Sequence, residues 1–85
     1  MKTGFILLLS LAANTYLLGQ TRISGIVKDE KGEVIPGANV FIRDTYDGVS
    51  SDFEGRFSFV TTETGAHALA ATFVGYKEFQ KTIEI

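Results

Sequence analysis

The run Val34-Ile35-Pro36-Gly37-Ala38-Asn39-Val40-Phe41-Ile42 constrains this chain more than any other stretch, because it reads as a turn feeding a strand. Pro36 holds its own φ at about −65° and pushes Ile35 into an extended conformation, while Gly37 accepts the left-handed region that closes such a turn. After this punctuation Ala38, Val40 and Ile42 alternate with Asn39, Phe41 and Arg43, the period of two of a strand with one face on a core. The rest of the chain repeats the scheme, with short alternating apolar runs closed by glycine.

Before Gln20 the grammar differs. Lys2 supplies one positive charge, Phe5 to Leu18 form an apolar segment interrupted by Ser10, Asn14 and Thr15, and Gly19 is small enough to precede a cleavage site. These are the three parts of a secretory signal peptide. The run is short for a membrane span, which needs about 20 apolar residues. The expected organisation is therefore a signal peptide at 1–19 and one domain at 20–85. Without Lys2 the mature part carries seven basic and ten acidic side chains, a net charge of −3. That balance lacks the clustered Lys and Arg of a nucleic-acid footprint and does not favour adsorption to anionic lipid. The chain has no cysteine, so neither a disulfide nor an acylated N-terminal cysteine is available to it.

Downstream, six runs read as strands. Thr21 to Lys28 sets Ile23, Gly25 and Val27 on one face, and Asp29 to Glu33 turns the chain around Gly32. Ala38 to Arg43 follows, then a turn at Asp44 to Gly48 whose Asp-Gly pair suits a tight hairpin, then a short strand from Val49 to Asp52. The Asp52 to Gly55 turn leads into Arg56 to Val60, where Phe57 and Phe59 share a face. His67 to Val74 carries Leu69, Ala71 and Phe73, Gly75-Tyr76 bends the chain, and Lys77 to Ile85 closes it with Phe79, Ile83 and Ile85. With no capped helical periodicity after residue 19, the fold class is all-β, a sandwich or small barrel. The expected core is Ile23, Val27, Val40, Ile42, Phe57, Phe59, Leu69, Phe73 and Phe79. The expected turn residues are Gly25, Asp29, Gly32, Pro36, Gly37, Gly48, Asp52, Gly55 and Gly75.

The turn chemistry carries a family resemblance. Gly25-x-Val27-x-Asp29-x-x-Gly32, then Ile35-Pro36-Gly37-Ala38-Asn39-Val40, then Gly48-x-x-x-Asp52-x-x-Gly55-x-Phe57, then Phe73-Val74-Gly75-Tyr76 resembles the carboxypeptidase-regulatory-like domain. The resemblance implies a small transthyretin-like (prealbumin-like) Greek-key β-sandwich of about seven strands. Domains that look like this often follow a signal peptide as the N-terminal extension of SusC/RagA-type TonB-dependent receptors, ahead of plug and barrel. It therefore implies an exported, periplasmic or outer-membrane-associated module that meets the membrane only through a larger receptor, with protein partners such as the plug, the barrel or another envelope component.

The residues carry little chemistry. His67 is the single histidine, and no serine sits in a nucleophile elbow, so a Ser-His-Asp triad has no support. One His and no Cys fall short of the usual zinc sets of about three protein ligands. Asp44, Asp47, Asp52 and Glu54 are oxygen donors for calcium, although turns require Asp on their own account. Glu54 and Glu63 as a glycosidase pair need a cleft that so small a sandwich cannot form. No catalytic, cofactor or metal residues are assigned. Function should lie in contacts. Phe41, Tyr46, Phe53 and Tyr76 are the candidate binding surface, and Ile26, Phe41, Val60 and Val74 share the outward parity. The first expectation is a non-enzymatic receptor module for glycan or peptide import. The alternative is a free-standing secreted domain that binds carbohydrate or another ligand, favoured if Tyr46, Phe53 and Tyr76 come together.

Overall fold

A computed structural model describes residues 5–12 and 19–85. It contains seven strands: β1 (Phe5–Ala12), β2 (Thr21–Asp29), β3 (Asn39–Ile42), β4 (Gly48–Ser50), β5 (Arg56–Thr61), β6 (Ala66–Thr72) and β7 (Phe79–Glu84). They form two sheets, ordered β1-β2-β5 and β4-β3-β6-β7, with every neighbouring pair antiparallel. No helix occurs among the described residues. Of the segment read as a signal peptide, residues 5–12 form β1 and pair with Arg22 to Asp29; residues 1–4 and 13–18 lie outside the described residues.

The alternation of side chains builds the core between the sheets. In β5, Phe57, Phe59 and Thr61 are buried while Arg56, Ser58 and Val60 are exposed, as expected of a strand with one wet face. Ile23 and Val27 join Phe57 and Phe59 from one sheet; Val40, Ile42, Leu69, Ala71 and Ile83 meet them from the other. The Phe57 and Phe59 rings lie 6.4 Å apart and tilted. Ile35 and Ala38, from the connection between β2 and β3, seal one end. Ala70 is buried although it faces away from Leu69 and Ala71, since register sets it between Phe41 and Gln80.

Four expectations need correction. Phe73 belongs to the surface rather than the core, because β6 ends at Thr72 and the next residue leaves the sheet. Phe79 is only half-buried, on the rim of the core. Gly25 is not a turn residue but a mid-strand position of β2, opposite Phe57. Gly48 also lies in a strand, opposite Phe41, and the positive φ of that hairpin falls on Asp44 at 66°. What Gly48 supplies is closeness: a Cβ there would stand 2.5 Å from the Val40 carbonyl oxygen and 2.6 Å from Phe41 Cβ.

Strand direction sorts the loops onto two ends of the sandwich. At one end lie the β2–β3 connection, the Ser51–Gly55 turn and the Phe73–Glu78 turn. At the other lie the 43–47 and 62–65 loops together with both Thr21, paired with Thr61, and Ile85, whose backbone exchanges two hydrogen bonds with Gly65.

Candidate functional site

All four blocks of the sequence signature contribute to the end of the sandwich away from Thr21 and Ile85, and short polar side chains hold the first three there. Asp29 is buried at the end of β2, where its Oδ1 accepts the backbone N–H groups of Lys31 (2.8 Å) and Glu33 (3.0 Å) and so fixes the turn. Asp52 repeats the device, accepting from Glu54 N–H and Arg56 N–H at 2.9 Å each. Between these turns sits Ser51, buried, whose hydroxyl donates to the Ile35 carbonyl at 2.7 Å and accepts from Ala38 N–H at 2.9 Å. Its backbone also pairs with Gly37 and Ala38. One serine thus clasps the Ile35-Pro36-Gly37-Ala38 corner from both sides.

Gly55 completes the clasp. It has φ of 76°, its carbonyl accepts Val27 N–H at 2.8 Å, and a Cβ there would meet the Val27 carbonyl oxygen at 2.8 Å and Val34 Cβ at 2.9 Å. Both the left-handed backbone and the close approach require glycine.

This scaffold presents apolar side chains to solvent. Phe53 is 93% exposed and Val74 90% exposed, and Val34 and Phe73 at the same end are partly exposed. Phe73 lies over Gly37, its Cε1 3.7 Å from where a Cβ would stand, and packs at 6.0 Å against the Tyr76 ring. Pro36, Gly37, Ser51, Asp52 and Phe53 line a shallow depression in the same end. Four of the large exposed hydrophobic residues therefore share one end, a concentration that marks a contact surface better than scattered singles do.

The candidate binding residues are divided by this geometry. Phe53 and Tyr76 stand at the apolar end, though Tyr76 is half-buried against the core. Tyr46 is fully exposed at the opposite end, and Phe41 lies on the outer face of the four-stranded sheet beneath the Arg43 guanidinium, 5.6 Å from its ring centre. Arg43 also pairs with Glu78. Ile26, Phe41, Val60 and Val74 form no single patch: Ile26 and Val60 sit at opposite ends of the β2–β5 face, Phe41 on the other sheet and Val74 in a turn. Sequence reasoning had no route to Val34 and Phe73 as members of the apolar end, or to Ser51 as its clasp. The only signal for Ser51 was its place just before the Asp52-x-x-Gly55 turn.

The polar candidates serve structure. Asp44 and Asp47 lie at one end, Asp52 and Glu54 at the other, so the four carboxylates do not converge. Asp47 Oδ2 accepts the hydroxyl of buried Thr61 at 2.6 Å, tying the loop after β3 to the end of β5. His67 Nε2 lies 2.9 Å from the Thr64 carbonyl oxygen and 3.6 Å from Glu63 Oε1, a local loop contact. Among the described residues no group of three His, Cys, Asp or Glu side chains is placed to hold a metal.

Comparison with known proteins places this architecture. The profile of the CarboxypepD_reg-like domain matches residues 23–85. TonB-dependent receptor P39 of Formosa agariphila is 37% identical over 76 residues, covering 87% of this chain and 7% of that receptor. TonB-dependent receptor SusC of Bacteroides thetaiotaomicron is 35% identical over 85 residues, covering 91% of this chain and 8% of that receptor. The chain thus spans less than a tenth of the length of either relative. No solved structure matches. With its two-sheet fold, its clasped corners and a profile match that runs from β2 through Ile85, the chain belongs to the CarboxypepD_reg-like domain family.

Proposed function

We propose that this domain is a non-enzymatic accessory module of a TonB-dependent outer-membrane receptor, exported behind a signal peptide at residues 1–19 and serving nutrient import through protein contacts. The observation that carries the reading is the alignment of nearly the whole chain with two such receptors. The geometry supports it in a second way. Thr21 and Ile85 lie at one end, where a longer receptor chain would be joined, while Phe53, Val74, Val34 and Phe73 face away at the other. A module tethered at one end and apolar at the other suits contact with a second protein. The carbohydrate reading draws less support, because Tyr46 stands at the opposite end from Phe53 and Tyr76.

The test is the coding DNA beyond Ile85, together with fractionation of the cells. A long downstream pattern of alternating barrel strands, with the protein in the outer-membrane fraction, is the expected result. A stop codon after Ile85 followed by an unrelated gene, with the protein free in the cytosol, overturns the reading.

A further inference from the structure

We infer that the outer edge of β2, filled here by β1, is a strand-acceptor site that takes an extended, uncharged apolar segment of a partner polypeptide once residues 1–19 have been removed. The inference rests on the signal-peptide reading above. In the structure all eight residues of β1 pair antiparallel with β2 in unbroken register, from Phe5 opposite Asp29 to Ala12 opposite Arg22. On its other side β2 pairs with β5 through Thr21 to Ile26, and with the turn before β3 through Lys28 and Val34. Loss of β1 turns an interior strand into an edge.

That edge differs from the two edges of the four-stranded sheet. Proteins blunt exposed edges by keeping them short or by charging them. In the four-stranded sheet, β4 has only three residues, and β7 displays Gln80, Lys81, Thr82 and Glu84 to solvent. By contrast, β2 is the longest strand at nine residues, has no proline, and is uncharged from Ile23 to Val27. Strand addition draws affinity from backbone hydrogen bonds and selectivity from alternate side chains.

The segment seated on the edge indicates the occupant. Phe5–Ala12 carries no charge and places Leu11, Leu9 and Leu7 opposite Ile23, Gly25 and Val27. A second copy is a poorer match: antiparallel pairing of two β2 strands about Gly25 sets Arg22 against Lys28, and like charges directly opposite destabilise a ladder.

The backbone supplies a residue-resolved test. Val27 N–H points to Gly55 and Asp29 N–H to Glu33, so by alternation the N–H groups of Arg22, Ser24, Ile26 and Lys28 point toward the β1 slot. The protein is recovered from the cell envelope after export, and its mass shows whether residues 1–19 are gone. Amide hydrogen exchange is then followed with a synthetic peptide of residues 5–12 flanked by lysines for solubility. Exchange at 22, 24, 26 and 28 should slow by at least about tenfold on adding the peptide, while Val27 stays protected throughout. A peptide of the same length with lysine at alternate positions should have no effect. Ile26→Pro removes an N–H from the slot side alone and should abolish the peptide effect while Val27 remains protected. Unchanged exchange at the four positions in a protein whose Val27 is protected overturns the inference. So does protection that rises with protein concentration without peptide, which identifies a second copy as the occupant. An envelope protein that keeps residues 1–19 removes the premise, and the mass alone reveals that outcome.

Discussion

At the level of single residues, the fold depends on a few positions where backbone and side chain leave no alternative. Gly55→Ala puts a methyl against the Val27 carbonyl and Val34 in a backbone with φ of 76°, and should cost about 2 kcal/mol or more. Denaturant titration of the variant should show the midpoint falling with little change in slope. Ser51→Ala leaves the Ile35 carbonyl and Ala38 N–H without their hydroxyl partner in a buried site, for an expected loss of about 1–3 kcal/mol by the same measurement. Phe57→Ala opens the centre of the core at a cost of about 3–5 kcal/mol, enough to unfold much of so small a domain. The Asp47-Gly48 pair shows how far residue chemistry could be read in advance. It suits a tight hairpin, but β3 and β4 are joined by the longer 43–47 connection, φ > 0 falls on Asp44, and Gly48 is required by the approach of Val40 and Phe41 from β3. A steric demand of that kind is set by tertiary packing, and no local pattern displays it.

At the level of strands and turns, period-two alternation made β2, β3 and β5 legible, because in each the buried positions alternate with less buried ones, most cleanly in β5. The same rule misplaced Phe73. Its parity with Leu69 and Ala71 continues in sequence, but the sheet stops at Thr72, and parity has no meaning once pairing ends. Phe73 instead joins Phe53, Val74 and Val34 in an exposed group drawn from three separate loops, a convergence that only the arrangement of strands creates. Phe53→Ser and Val74→Ser should change thermal stability by no more than about 0.5 kcal/mol, since both side chains are already solvated. If this end docks on a protein partner, the double variant should weaken that complex at least tenfold, about 1.4 kcal/mol, as read by co-purification or titration. An unchanged complex would locate the contact elsewhere.

At the level of the whole molecule, the sandwich is closed by packing and short hydrogen-bonded turns with no disulfide to assist them. The lack of native cysteine allows a direct check on orientation. Single Tyr46→Cys and Phe53→Cys variants, carried in a full-length receptor, should react with a maleimide at different rates. Position 46 should be slower, because it lies at the end that carries Thr21 and Ile85, where the proposed receptor would be joined, while position 53 faces away. Equal rates would argue against the proposed tether.

That tether has a mechanical consequence. In a chain that begins at Gln20, entry at Thr21 and exit at Ile85 occur at the same end but in different sheets, so tension between the two pulls across the strands rather than along them. The load then falls on one ladder bond at a time, opening β2 from Thr61 and β7 from Ala66 like two zips, instead of shearing whole rows together. Stretched in an optical trap, the domain should give way at lower force through these ends than when pulled between Thr21 and a handle at Phe53, where the load runs along the length of the strands.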